Sequence, residues 1–339
     1  MIGYVNFPAW LRPEVISGFP IRWYGLMYLL AFFITFQLFF FIAVKERRLN
    51  TDKDTILNLF FWGVLAVLIG GRIFSVLIYD PTGYYLDNPV QIIFPFQRIG
   101  ERLKFTGLQG MSYHGGLLGA LVATVIYSRV KGLNPLKVID LIAASAPLGY
   151  TFGRLGNFIN GELYGRITTS KIGMVFPDAP SYSINEDWVQ IAAKEAGIQL
   201  EESDQLINLP RFPSQLFEAF FEGVFLWAVL WLLLRNWRGF PGYLFSLYFI
   251  GYGIVRFFAE YFREPDAGLG FPIAFTSVNN PLEFSVFNFT TGQVLSFIMV
   301  GLGVTCFIGF YVFDKRIQVR LEEPVISTNK SRKVRRKLR

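Results

Sequence analysis

The chain is short of the side chains on which most soluble chemistry rests. Among 339 residues there is one cysteine, Cys306, and one histidine, His114. A single cysteine excludes an internal disulfide and a cysteine-based metal knuckle. One imidazole leaves a transition-metal site short of ligands, and nothing calls for a cofactor. Charge is also scarce: Asp, Glu, Lys and Arg make up 17% of the chain, against roughly a quarter in an ordinary soluble domain. There is no Gly-x-Ser-x-Gly elbow, no His-Glu-x-x-His pair and no phosphate-binding glycine loop. Residues 1–20 hold three prolines and a glutamate, so no cleavable signal peptide is expected. The basic run Lys330–Arg339 lacks interleaved aromatics, which argues against a nucleic-acid module.

What is abundant is apolar. Hydrophobic residues form 53% of the chain. They gather in seven segments: Trp23–Val44, Ile56–Ile78, Ser112–Val130, Val138–Asn157, Pro213–Leu234, Tyr243–Phe262 and Thr291–Phe313. Each is close to the ~20 residues that a spanning helix needs. Basic residues follow the first (Lys45, Arg47, Arg48), third (Arg129, Lys131, Lys137), fifth (Arg235, Arg238) and seventh (Lys315 onward) segments. The positive-inside rule then puts the N-terminus outside and the C-terminus in the cytosol. The expected fold is an all-α polytopic membrane protein with seven transmembrane helices. Residues 1–314 form the membrane domain, 80–110 an outer arm and 166–211 a small outer head. Residues 315–339 form a basic cytosolic tail, disordered and touching the inner leaflet. Glu264–Thr290 is a third outer segment. Ser183 and Glu186 have the look of a helix N-cap pair before Trp188–Ala196.

A helix rises about 1.5 Å per residue, so position along a segment converts to depth. Tyr24 and His114 open segments that start outside. Arg154 lies roughly 25 Å along a segment that starts inside, and Asn157, Asn160, Glu162 and Gly165 follow it. Tyr252, Arg256 and Glu260 climb the outer half of the sixth segment at spacings of four, which align them on one helix face. Arg72, in a Gly70-Gly71 break, is in the outer half of the second. A charged side chain in lipid costs about 2.5–3.5 kcal/mol on insertion scales and persists where it faces protein or water. These residues therefore face one interior, near the outer surface.

Arg154 and Arg256 would repel unless anions intervene. Glu162 and Glu260 supply part of that charge, and a lipid phosphate, matched by the guanidinium fork, supplies the rest. Blander readings stand beside this one. Arg72 serves equally well paired with a carbonyl, Tyr24 as an interfacial belt aromatic, and His114 as a packing histidine. The glycines after His114 also suit tight helix packing. Asp140, near the inner end of the fourth segment, reads as a cap or local pair.

The stretch Gly153–Arg166, GRLGNFINGELYGR, resembles the signature of the prolipoprotein diacylglyceryl transferases of bacterial inner membranes. Further blocks agree: Trp23–Tyr28, Gly70–Arg72, Ser112–Gly116, Pro213–Glu218, Gly251–Arg256 and Arg263–Asp266. The resemblance runs from near residue 20 to about 310. Many members carry histidine where this chain has Arg22 and Phe212, so His114 is the only imidazole available. The resemblance implies a seven-helix bundle with outer arms and a small head. It also implies transfer of the diacylglyceryl group of phosphatidylglycerol to the lipobox cysteine thiol of a prolipoprotein. Arg154 and Arg256 are then expected to clamp the phosphate, with Asn157 and Glu162 orienting Arg154. Tyr24, Tyr252, Asn160 and Gly165 line the head-group pocket. His114 takes or relays the thiol proton, with Glu162 or Glu260 as the alternative base. The rival reading is a small-solute or lipid transporter, whose charges belong at the bilayer midplane between repeated halves. Another is a membrane assembly protein without chemistry, for which polar residues from separate helices at one depth have no use.

Overall fold

Within hydrocarbon no water is available to the backbone, so an apolar chain satisfies its N–H and C=O groups by coiling into helices. The computed structural model describes residues 3–16, 21–79, 83–92, 94, 96–99, 102–105, 110–201, 205–237, 239–265 and 270–322. It is dominated by helices. α1, Trp23–Phe40, continues as a π-helix over Phe41–Lys45. α2 covers Lys53–Tyr79, α3 Tyr84–Asp87, α4 Tyr113–Val130 and α5 Pro135–Ile159. α6 is Asp187–Ala196, α7 Ser214–Glu218 and α8 Leu226–Ala228. π-Helical Ala219–Phe225 and Val229–Leu234 flank α8. α9 is Tyr243–Ala259 and α10 Thr291–Glu322.

Each of the seven apolar segments is thus helical. Four runs, Trp23–Lys45, Lys53–Ile78, Ser214–Leu234 and Thr291–Val319, are long and apolar enough to cross a membrane, and Tyr243–Ala259 is a shorter apolar helix. α10 continues past Phe313, through Lys315 and Arg316, to Glu322. The Lys330–Arg339 run lies outside the described residues.

Close packing is set by small residues. A Cβ on Gly115 would stand 2.3 Å from the Gly70 carbonyl oxygen, and one on Gly119 2.2 Å from that of Ala66, so α2 and α4 touch backbone to backbone. Gly149 does the same for α5 against Ala31 of α1. Without a hydrophobic force between helices in lipid, such contacts carry the association. Phe39, Ile42, Ile56, Val138, Leu226, Leu230 and Leu244 fill the buried centre. Asp140 accepts hydrogen bonds from the backbone N–H of Gly242 (2.8 Å) and Phe245 (2.9 Å). It therefore caps α9 from a different helix, in keeping with the cap reading.

The head has its own small core of Ile167, Val189, Ala192, Ala193 and Leu209. β1, Val5–Asn6, pairs in parallel with β4, Met174–Val175. The residues before α1 therefore help build the head, which the sequence does not announce. β2, Phe96–Ile99, pairs antiparallel with β3, Arg102–Phe105. β5, Ser181–Ser183, pairs with β6, Leu206–Asn208. The expected Ser183–Glu186 cap pair does not form. Ser183 ends β5, its hydroxyl accepts from the Asn185 N–H at 3.3 Å, and Glu186 at the start of α6 makes no side-chain cap.

Substituting Gly119→Val should force α2 from α4 at a cost of about 1–3 kcal/mol, the usual range for overpacking. Gly309→Val, where an added Cβ meets nothing within 4 Å, should leave stability unchanged. Thermal unfolding of the two variants in detergent checks the contrast.

Candidate functional site

Three guanidinium groups meet at one end of the bundle. α5 carries Arg154, α9 carries Arg256, and the turn after α9 carries Arg263. Opposite them the fifth apolar run presents Glu218, the last residue of α7, and Glu222, one turn on in the π-helix. π-Helical turns are rare and frequent at functional sites. Glu218 Oε2 lies 2.9 Å from Arg154 Nε and 3.3 Å from Arg256 Nη1, and Glu218 Oε1 lies 3.5 Å from Arg263 Nη1. Glu222 Oε1 is 3.3 Å from Arg256 Nη1. Glu260, at the C-cap of α9, completes the set at 2.5 Å from Arg256 Nη2 and 3.7 Å from Arg263 Nε. Glu218, Glu222 and Glu260 are buried. Three cations thus face three carboxylates. Such a pairing offsets the desolvation of its members, and removing one partner typically costs about 3–5 kcal/mol.

Arg154 is held by its inner edge. Its Nε also donates to the Tyr150 hydroxyl at 2.5 Å, and its guanidinium carbon sits 4.9 Å from the Tyr150 ring centroid. Tyr150, one turn earlier on α5, donates to Glu222 Oε2 at 2.5 Å. A single chain of contacts therefore runs from Arg154 through Tyr150 and Glu222 to Arg256. Tyr150 and Glu218 thus both meet Arg154 at Nε. The two-pronged end of a guanidinium can donate to two oxygens of a phosphate or carboxylate at once.

The structure brings Arg154, Arg256 and Glu260 together, and with them Tyr252, whose ring stands edge-on to Tyr150 at 6.0 Å. Glu162 and Asn157 are placed differently. After α5 the chain turns through Gly161 (φ 67°) and Leu163 (φ 55°), which folds Glu162 back over the helix end. Its Oε1 accepts from Asn157 Nδ2 (3.0 Å) and Asn160 Nδ2 (3.3 Å). Among the described residues no hydrogen bond or ion pair joins Glu162 or Asn157 to Arg154, which Tyr150 and Glu218 orient instead.

Tyr24 donates to the Tyr28 hydroxyl at 3.0 Å. Its ring lies beside Gly156, where a Cβ would come within 3.4 Å of it. His114 opens α4, its ring 5.9 Å from that of Tyr113, behind the Ser112 cap. Gly165 lacks a side chain for a local reason, because a Cβ there would stand 2.1 Å from the Phe262 carbonyl oxygen. Arg72 turns toward the arm, donating to the carbonyls of Gln91 (2.9 Å), Ile92 (2.6 Å) and Gly110 (3.2 Å), which is the carbonyl-paired reading.

The head is fastened to the same turn. Arg166 Nε donates to the Arg263 carbonyl at 2.8 Å, and burial pushes its guanidinium below the ordinary arginine value. Fully buried Arg211 pairs with Glu264 at 2.8 Å and donates to the Tyr182 hydroxyl at 2.9 Å.

Sequence reasoning gives no role to Tyr150, Glu218, Glu222 or Arg263, although Glu218 and Arg263 stand in the blocks that carry the resemblance. For the two glutamates a signal exists: a carboxylate in an apolar span is as costly as the arginines that stood out. Tyr150 is one tyrosine among 16, and only its spacing of four from Arg154 marks it.

Known proteins align with this chain over nearly all of it. A Treponema denticola protein named phosphatidylglycerol–prolipoprotein diacylglyceryl transferase is 47% identical, over 94% of this chain and 98% of its own length. Proteins of the same name from Treponema pallidum and Chlorobaculum tepidum are 44% and 42% identical, covering 93% and 92% of this chain and 98% and 92% of their own lengths. Residues 14–309 match the family described as prolipoprotein diacylglyceryl transferase. With its signature stretch and its arginine network both inside that match, the chain belongs to the prolipoprotein diacylglyceryl transferase family.

Proposed function

We propose that this protein moves the diacylglyceryl group of phosphatidylglycerol onto the lipobox cysteine of a prolipoprotein, with Arg154 and Arg256 holding the lipid phosphate. The observation that carries the reading is the meeting of Arg154, Arg256 and Arg263 at one end of the bundle, with Arg154 fixed at Nε by Tyr150 and Glu218. The relatives' names supply the two substrates. They give no support to a transporter.

In the reaction the cysteine sulfur attacks the glycerol CH₂ that is bonded to the phosphate oxygen. A C–S bond forms, the C–O bond breaks, and its electron pair stays on the phosphate of departing glycerol phosphate. Negative charge therefore grows on the phosphate as the bond breaks. Donors fixed in advance at that point lower the barrier without having to reorganise. The sulfur reacts as thiolate, from a reference pKa near 8.5, so its proton must leave. His114 takes or relays that proton, and Tyr24 and Tyr252 line the head-group space. Asn157, Asn160 and Glu162 form a self-bonded cluster at the rim of this space rather than a brace for Arg154.

The reading places seven spans in a bacterial inner membrane, with the N-terminus outside, the basic tail in the cytosol and the arginine network near the outer leaflet. The long-range contacts support that topology. The loops after the first and fifth spans, both assigned to the cytosol, meet through Arg235 with Glu46 (2.6 Å) and Arg48 with Asn236 (2.7 Å). The head and the loop before α10, both assigned outside, meet through Arg211 with Glu264 and through Leu282.

The assay is the mass shift of a lipobox peptide incubated with phosphatidylglycerol and the purified protein in detergent. Arg256→Ala should lower turnover at least ~100-fold, the scale seen on removing one charge-stabilising donor, while the protein still accumulates in the membrane. Normal turnover in that variant would remove the clamp from the mechanism. Arg154→Lys keeps the charge and loses the fork. Its kcat/KM for phosphatidylglycerol should fall by roughly 10-fold or more. For topology, a Ser183→Cys probe in a Cys306→Ser background should react with a membrane-impermeant maleimide on spheroplasts. Labelling only after lysis would reverse the assignment.

A further inference from the structure

The last helix begins against the arginine network, and its first turn is built in an unusual way. Thr290 is the residue before α10, and Gln293 is the third residue in. The Thr290 hydroxyl oxygen accepts from the Gln293 N–H at 3.2 Å, and Gln293 Oε1 accepts from the Thr290 N–H at 3.0 Å. This is a reciprocal capping box, in which two otherwise orphaned backbone donors are satisfied. Gln293 Nε2 also reaches the Phe257 carbonyl of α9 at 3.4 Å, which ties the two helix ends together. A cap needs only the lone pair of the threonine hydroxyl. Its proton is left over, and it is aimed at Glu260: Thr290 Oγ1 donates to Glu260 Oε1 at 3.1 Å. The other oxygen of Glu260 is the one that meets Arg256 Nη2 at 2.5 Å.

Gly292 leaves room for this carboxylate. A Cβ there would stand 2.5 Å from Glu260 Oε1 and 2.6 Å from its carboxyl carbon. The carboxylate thus lies flat on the first turn of a 32-residue helix, where the partial positive charge of the helix end favours an anion. Thr290, Gln293 and Glu260 are all buried.

We infer that Thr290 is a positioning residue: its hydroxyl proton fixes one oxygen of Glu260, so that the other oxygen sets the direction of Arg256. The N-terminal cap of the seventh apolar segment is therefore part of the phosphate clamp, and Gly292 is glycine to admit the carboxylate. This rests on the clamp reading above. The capping role and the donor role are separable by substitution. Serine keeps both. Valine keeps the shape and loses both. Glycine has no hydroxyl proton to give, yet is itself tolerated at an N-cap with little loss of stability.

The experiment measures kcat and KM for phosphatidylglycerol in full-length Thr290→Ser, Thr290→Val, Thr290→Gly and Gly292→Ala, with thermal midpoints in the same detergent. Thr290→Ser should stay within about twofold of native in both constants. Thr290→Val and Thr290→Gly should lose roughly 10-fold in kcat, the scale of one hydrogen bond to a charged group, with KM within about twofold, the pattern of an interaction realised in the transition state. Thr290→Gly should keep a near-native midpoint. Gly292→Ala, which favours the helix, should also slow turnover. Native kcat in Thr290→Gly would show a cap and nothing more, and would overturn the inference. So would a Thr290→Ser as slow as Thr290→Val, or a loss confined to KM. Arg256→Ala is run alongside. If it is dead while Thr290→Gly is native, only this inference falls. If it turns over normally, the clamp reading falls and takes the inference with it.

Discussion

The structure turns on one carboxylate. Among the described residues, Glu218 alone forms ion pairs with all three arginines, Arg154, Arg256 and Arg263. Without an anion among them, three guanidinium groups packed this closely in a low-dielectric interior would repel strongly. Buried ion pairs add little to stability over an apolar equivalent, so stability does not explain this one. Its effect is on geometry. It fixes α5, the fifth apolar run and α9 relative to one another through side chains that have a single good arrangement.

The charge balance has a chemical consequence. With Glu222 and Glu260 added, the cluster is close to neutral before any lipid arrives. A bare set of three arginines would hold a phosphate tightly before and after reaction. On the clamp reading proposed above, a neutralised set responds to the charge that develops as the C–O bond opens. Binding the transition state better than the ground state is what raises turnover. The same neutrality eases the departure of glycerol phosphate, which carries more charge than the diester it came from.

Much of this was legible in the residues. The apolar helices and the convergence of Arg154, Arg256 and Glu260 follow from spacing and from the cost of charge in lipid. The partnering of those arginines did not follow. Glu162, eight residues from Arg154, looked like its partner, but the left-handed turn at Gly161 and Leu163 sends it to Asn157 and Asn160. Glu218 and Glu222 lie more than sixty residues away in sequence, and helix packing rather than periodicity brings them in. The π-helical turns that aim Glu222 have no sequence signature of the kind that caps and heptads have. The head strand Val5–Asn6 was illegible for the same reason, since two residues carry no pattern.

Arg22 and Phe212, where the resemblance leads one to expect histidine, bear on the proton. Phe212 is packed edge-on to Phe262 at 5.3 Å, and its backbone exchanges hydrogen bonds with Gly165 and Arg166. That position serves packing here, and Arg22 precedes α1 in a short bridge with Glu14. The imidazole left is His114, one residue before Gly115. Gly115 is the point where α4 touches the backbone of α2 at Gly70, and no larger residue fits there. The helix contact that looked like a bland packing device therefore sets the height and rotation of the only imidazole. In this protein the tight glycine seam and the candidate base are consequences of the same few residues.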